Sequence, residues 1–221
     1  MSELLFVTVG TTAIGNPRIG DAHLRDIAQQ YMKAPDETFA MLHELERKLV
    51  AAHSELWKDL KNLDLPPDDF DRTSAELTST MLLLRQFPSV TTVVFLGSAT
   101  DEGRLATGIN AAVLREIWSR AAVSAQTIPG LEKAFTKVTP AVEKILNDYS
   151  AAAAARVSFN ITGGFKGVVP SITFLAMQHP GWSIYYQYQG LSVVAEVMFS
   201  GAGGPIPAIR ESKIVDPADI G

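Results

Sequence analysis

Three short apolar runs divide the chain, and each ends in a turn rich in glycine and polar side chains. The runs read LLFVTV at residues 4–9, TTVVFL at 91–96 and VSFNI at 157–161. A run of this length between turn residues is typical of a strand that is buried on both faces of a sheet. The pattern therefore predicts three strands of a mostly parallel sheet.

Between these runs, apolar residues recur at three- and four-residue steps, which is the spacing of an amphipathic helix. The spacing predicts helices over four segments, 36–62, 74–84, 105–121 and 131–149. Pro140 is expected to interrupt the last of them. Residues 166–177 are apolar almost all round, which predicts a buried helix with Pro170 near its first turn. Residues 13–35 are mixed and polar, so we expect a loop and one short helix there.

Two further strands, 184–188 and 193–199, are separated by Gln-Gly-Leu-Ser and form a predicted hairpin. Strand, turn and helix thus follow one another three times before a terminal hairpin. This order predicts an α/β fold, a Rossmann-like mostly parallel sheet with helices on both faces, a terminal β-hairpin and a helical insertion. We expect one ligand-sensing domain over residues 1–200 and a loosely held tail or linker over 201–221.

Composition narrows the classes of partner. The chain has 221 residues, no cysteine and a net charge of −5, with 19 basic and 24 acidic residues. Without thiols there is no disulfide, thiolate zinc site or cysteine nucleophile. The acidic balance argues against a long nucleic acid as partner, because phosphate neutralisation supplies most of that affinity. No signal peptide or membrane-length apolar run is evident, so we expect a soluble, cytoplasmic protein that does not bind membranes.

Three turns that follow the predicted parallel strands carry the candidate chemistry. In open parallel sheets, ligands bind beyond the carboxyl ends of the strands, where the strand order reverses. Glycines let the backbone approach a ligand closely, and hydroxyl groups and free N–H groups hold anions. The candidate ligand-binding residues are Gly10, Thr11 and Thr12 in the first turn, Ser98 and Thr100 in the second, and Thr162, Gly163, Gly164, Phe165 and Lys166 in the third.

The third turn is the sharpest candidate, because Lys166 adds a full charge at the expected start of a helix. The alternative is a tight strand-to-helix connection with a solvated lysine. Thr11 and Thr12 equally suit a helix cap, and Asp101 and Glu102 are expected to be helix N-terminal carboxylates. Dinucleotide-binding, Walker A, zinc-protease and nucleophile-elbow motifs are absent, so we expect no cofactor and no metal.

Several of these segments resemble CARF domains, the CRISPR-associated Rossmann-fold sensors. The opening VTVGTT is similar to the first motif of that family, and NITGGFK at residues 160–166 is similar to its second signature. The segments SAEL at 74–77 and LGSATDEG at 96–103 and the strand IYYQY at 184–188 also resemble it. The resemblance implies a homodimer that binds a cyclic oligoadenylate across its two-fold axis. The expected ligand is cyclic tetra-adenylate first and cyclic hexa-adenylate second, and its binding regulates an antiviral effector outside this chain.

The resemblance leaves an enzyme as the alternative. Some CARF proteins are ring nucleases that cleave their activator without metal, and the positions that match their catalytic residues are Thr12 and Lys166. A third hypothesis is a Rossmann-like enzyme for another small anionic metabolite. The pairs Arg18–His23 and Arg47–His53 have the spacing of a HEPN ribonuclease motif, but they lie between the CARF-like segments, so we interpret both as chance.

Overall fold

The computed structural model describes most of the chain, in nine segments. These are residues 2–15, 22–33, 39–60, 74–130, 135–164, 167–179, 181–187, 193–198 and 208–213. The strands are β1 (Glu3–Thr8), β2 (Thr92–Ser98), β3 (Ala122–Ile128), β4 (Arg156–Asn160), β5 (Trp182–Gln187), β6 (Val193–Met198) and β7 (Ala208–Lys213). The helices are α1 (Thr12–Gly15), α2 (Ala22–Lys33), α3 (Phe39–Leu60), α4 (Ala75–Gln86), α5 (Asp101–Ile117), α6 (Phe135–Asp148) and α7 (Val169–Gln178).

The described strands form one sheet in the order β3-β2-β1-β4-β5-β6-β7. The first five strands in this order are parallel, and β6 and β7 are added antiparallel at one edge. The predicted α/β, Rossmann-like architecture and its antiparallel β5–β6 pair are therefore confirmed. Within the described part of the chain, no helix has both the length and the apolar character needed to cross a membrane.

Alternate residues of the central strands pack into two separate cores. From β1, Leu5 and Val7 join one core with α3, α4 and α5, while Leu4 and Phe6 join the other with α6 and α7. Successive side chains of a strand point to opposite faces, so a strand covered by helices on both faces must be apolar throughout. This is why the central strands appear in the sequence as continuous apolar runs.

The structure adds two strands that the sequence pattern did not predict. β3 follows α5 and carries serine, glutamine and threonine, and most of its residues are only partly buried, because it lies at an edge of the sheet. β7 lies in the segment that was expected to be a tail or linker, and it pairs with β6 from Met198↔Ala208 to Val193↔Lys213. Both are edge strands, where one side of the strand has no partner and the apolar signal is weak.

Three helical expectations need correction. α2 is a 12-residue helix where mostly loop was expected. α6 continues through Pro140, which is exposed and costs the helix a single N–H bond. α7 begins at Val169, not at residue 166, and it is not buried all round, since Phe174 and Met177 are 55% and 52% exposed.

Candidate functional site

A cleft lies at the carboxyl ends of the parallel strands, where the strand order reverses. The chain passes from β1 to β2 on one side and later adds β4 on the other side of β1. The turns that follow β1 and β4 therefore flank the switch point, which is where open α/β sheets bind ligands. The cleft has a volume of about 530 Å³. It is lined by Val9, Gly10, Thr11, Thr12, Ala75, Ser98, Gly103, Thr162, Gly163, Gly164, Tyr186 and Gln187.

The first turn is held by a buried carboxylate, Glu76. Ser74 caps α4 by accepting the Leu77 N–H at 3.1 Å, which places Glu76 in the first turn of that helix. Its side chain is fully buried. One carboxylate oxygen accepts the Gly10 N–H at 2.8 Å, and the other accepts the hydroxyl of Thr12. Both donors belong to the turn after β1, so Glu76 determines the conformation of that turn.

The glycines of the third turn allow it to pack on Glu76 and on β1. A Cβ at Gly163 would lie 2.3 to 2.5 Å from three atoms of the Glu76 side chain. Gly164 has a φ of +108°, and a Cβ there would lie 2.7 Å from the Cβ of Thr8. Only glycine adopts that backbone conformation readily. The two glycines therefore serve close packing between the first and third turns.

A polar network fixes the third turn to its neighbours. Thr8 donates its hydroxyl to the Gly163 carbonyl, and the Asn160 side-chain oxygen accepts the Thr162 N–H at 3.1 Å. The Asn160 amide in turn donates to the Ser79 hydroxyl of α4 at 2.8 Å. Buried polar groups that are fully paired in this way rigidify a site. The turn is therefore positioned before any ligand arrives.

Much of the region around this cleft matches a known protein family. The model of the CRISPR-associated protein family Cas_APE2256 matches residues 71–197, more than half of the chain. The chain belongs to the Cas_APE2256 family. The matched segment contains Glu76, the turn after β2, the turn after β4 and the hairpin strands, whereas the first turn lies ahead of it. No curated protein matches the chain.

In this Cas_APE2256 protein, the second turn serves mainly to start a helix. Thr100 caps α5 by accepting the Gly103 N–H at 3.1 Å, and its hydroxyl also bonds that of Ser98 at 2.8 Å. Asp101 and Glu102 occupy the first turn of α5, where carboxylates complement the helix dipole. Ser98 lines the cleft, while Thr100 is not among its lining residues.

Most of the site residues expected from sequence come together in the one cleft. These are Gly10, Thr11, Thr12, Ser98, Thr162, Gly163 and Gly164. Phe165 and Lys166 lie outside the described residues. The helix that follows them, α7, begins at Val169, whereas the sequence pattern predicts its start at residue 166.

The pattern of turns did not indicate Glu76, Tyr186 and Gln187 as residues of the site. Glu76 was noted only within a segment resembling CARF domains, because an acidic residue early in a helix is ordinarily a dipole partner. Tyr186 and Gln187 come from the end of β5 and line the cleft beside Thr162, whose hydroxyl accepts the Gln187 N–H at 2.8 Å. The sequence signal that could have indicated them is their place near the end of the predicted strand 184–188.

The residue before Tyr186 is a buried tyrosine that anchors β5 to β6. The Tyr185 hydroxyl donates to the Glu196 carboxylate at 2.6 Å across the hairpin. Burial, followed by the hydrogen bond and the negative charge of Glu196, raises the pKa of Tyr185 well above its ordinary value near 10. Tyr185 therefore stays neutral in the folded protein under alkaline conditions in which it ionises in the unfolded chain.

Tyr185 makes folding stability fall with rising pH above about 10, because only the unfolded chain then releases this proton. The contribution is fully present below that pH. We expect the free energy of unfolding, measured with urea from pH 8 to 11, to depend less steeply on pH in Tyr185→Phe than in the wild type. Equal alkaline slopes in the two proteins would contradict this account.

The described residues do not assemble a HEPN-like pair or a metal centre. His53 is buried and bonds the Ala13 carbonyl at 3.0 Å, whereas Arg47 is exposed and pairs with Glu44 on the surface of α3. Arg18, from the other pair with this spacing, lies outside the described residues. Among the residues with a described position, no group of three or more His, Asp or Glu side chains could hold a metal ion.

Proposed function

We propose that this Cas_APE2256 protein is a CARF-type sensor that binds a cyclic oligoadenylate, cyclic tetra-adenylate first, across a homodimer groove and so regulates an antiviral effector. The observation that carries the proposal is the meeting of two glycine turns at the sheet's switch point. Membership of a CRISPR-associated family supports the biological setting.

The lining of the cleft suits a ribonucleotide. The backbone of Gly163 and Gly164 lines the cleft, and successive main-chain N–H groups of a turn can hold phosphate oxygens. Thr12 and Ser98 add hydroxyl groups at the cleft wall, which can bond the hydroxyl groups of a ribose. Tyr186 is 39% exposed at the end of β5 and offers an aromatic face on which a base can stack.

The cleft of one chain has the volume of a small-molecule site. A ring of four nucleotides is larger than such a site, so a second copy of the chain would supply the rest of the groove. A two-fold interface presents the same turns twice, which matches the internal symmetry of the ring. α7 follows the third turn and exposes Phe174 and Met177, apolar side chains that a second copy would cover.

Calorimetric titration of the purified protein tests this proposal. We expect cyclic tetra-adenylate to bind with one ring per two chains, and linear tetra-adenylate to bind at least about tenfold more weakly because ordering a flexible ligand costs free energy. Cyclic hexa-adenylate serves as the matched ring of different size. If a mononucleotide gives a heat of binding and no cyclic oligoadenylate does, the result would instead favour an enzyme for another anionic metabolite.

A ring nuclease is the second candidate, because Thr12 matches a catalytic position of CARF ring nucleases and lines the cleft. In such a reaction the ribose 2′-oxygen bonds to the adjacent phosphorus and the bond from phosphorus to the 5′-oxygen breaks. The 2′-hydroxyl proton passes to a base, and the released 5′-oxygen takes up a proton. Lys166 would stabilise the developing charge on the phosphate. Labelled cyclic tetra-adenylate incubated in chelator then yields linear product, whereas an intact, tightly bound ring indicates a sensor alone.

A further inference from the structure

The hydroxyl group of Thr12 has its single proton committed to Glu76. A carboxylate only accepts hydrogen bonds, and the two donors it receives here are the Gly10 N–H and the Thr12 hydroxyl. What Thr12 still has available is its pair of oxygen lone pairs. Thr12 is partly exposed and lines the cleft. It therefore presents a hydrogen-bond acceptor to a ligand, which is the opposite of what a phosphate group requires.

We propose that Thr12, oriented by Glu76, is a specificity-determining acceptor for a ribose 2′-hydroxyl and makes the site select ribonucleotide over deoxyribonucleotide ligands. This inference rests on the proposed function, whose ligand is a ring of ribonucleotides. Glu76 is a positioning residue in it, because its side chain is fully buried and acts through Thr12 and Gly10.

The location of Thr12 favours the ribose over the base as its partner. Thr12 is two residues beyond Gly10, and a Cβ at Gly10 would lie only 3.1 Å from the Gly164 backbone nitrogen. The two glycine turns, where phosphates are proposed to bind, thus meet beside Thr12. In a ribonucleotide the 2′-hydroxyl is the donor next to the phosphate, whereas the adenine amino group lies at the far end of the nucleotide.

Exchanging Glu76 for glutamine reverses the polarity of Thr12 without changing the size of the side chain. The Gly10 N–H requires an oxygen, so the glutamine must direct its NH₂ group at Thr12. Thr12 then accepts that bond, and its own proton turns toward the cleft. The variant presents a donor where the wild type presents an acceptor.

The test compares the dissociation constants of cyclic tetra-adenylate and its 2′-deoxy analogue. We expect the wild type to prefer the ribose ring about tenfold, because the deoxy ring leaves the Thr12 acceptor without a partner. The preference should fall to near unity in Thr12→Val and return in Thr12→Ser. In Glu76→Gln it should change less, because the 2′-hydroxyl can turn to accept the Thr12 proton. Thr139→Val on α6, whose hydroxyl donates to Ser171, and Glu143→Gln, an exposed carboxylate on the same helix, are the matched controls.

The outcomes separate this inference from the proposed function. A preference that persists at its wild-type size in Thr12→Val overturns the role of Thr12 and leaves the sensor intact. Failure of the wild type to bind either ring overturns the proposed function itself. The last comparison uses a ring whose adenines lack the amino group. If this ring loses affinity only when Thr12 is present, and the deoxy ring does not, Thr12 contacts the base and the ribose assignment is overturned. Thermal unfolding of each variant shows whether it is folded, and Thr12→Val supplies the test if Glu76→Gln is not.

Discussion

Replacing Gly163 with alanine is expected to lower the free energy of unfolding by about 1 to 3 kcal/mol, the usual cost of overpacking a tight site. The added Cβ would lie 2.3 to 2.5 Å from the side chain of Glu76, which is fully buried and held by Gly10 and Thr12. The side chain cannot move away without breaking those bonds. Urea denaturation measures the loss, and calorimetry with cyclic tetra-adenylate should show weakened binding because both turns are displaced.

A double-mutant cycle tests whether Glu76 is the cause of that loss. In the Glu76→Ala background the space beside Gly163 is open, so the added Cβ should cost less than it does in the wild type. The coupling between the two sites is expected to lie between about 0.5 and 3 kcal/mol, as for residues in direct contact. Gly15→Ala is the matched control, since nothing lies within 4 Å of a Cβ added there. If the losses in free energy of unfolding are strictly additive, the contact with Glu76 is not the reason that a Cβ at Gly163 is unfavourable.

Lys166→Ala is expected to weaken binding of cyclic tetra-adenylate by about ten- to a hundredfold, because hydrogen bonds to charged groups contribute about 1.5 to 3 kcal/mol. Thr12→Ala removes one neutral hydrogen bond, so its loss should be a few-fold to about tenfold. Calorimetry at one fixed salt concentration measures both. Lys144→Ala, an exposed lysine of α6, controls for the change in net charge. Equal losses in the Lys166 and Thr12 variants would contradict this order.

The central sheet could be predicted from the sequence because it is buried on both faces. Leu4 to Val7 must satisfy two separate cores, so every position is apolar and the run stands out. The edge strands β3 and β7 are under no requirement to be apolar at every position. Residues such as Ser124 and Gln126 in β3 carry no alternation strong enough to distinguish a strand from a loop. Whether a segment pairs at the edge depends on the strand beside it. A local sequence pattern holds no information about that strand.

The sequence by itself indicated which turns line the cleft at the edge of the sheet. Glycine and hydroxyl residues directly after buried parallel strands indicate turns at one edge of the sheet. That the turns after β1 and β4 lie side by side comes from the strand order of the folded sheet. It also carried the motifs that resemble CRISPR-associated sensors.

Only the tertiary structure decided what those turns do with their polar groups. Glu76 is separated from Gly10 by 66 positions in the chain, yet it takes the N–H of Gly10 and the proton of Thr12. A spacing rule cannot express that contact, because it depends on how α4 packs beneath both turns. Whether Thr12 offers a ligand a donor or an acceptor therefore depends on the packed molecule. A hydroxyl group can do either, and the neighbouring groups decide where its proton points.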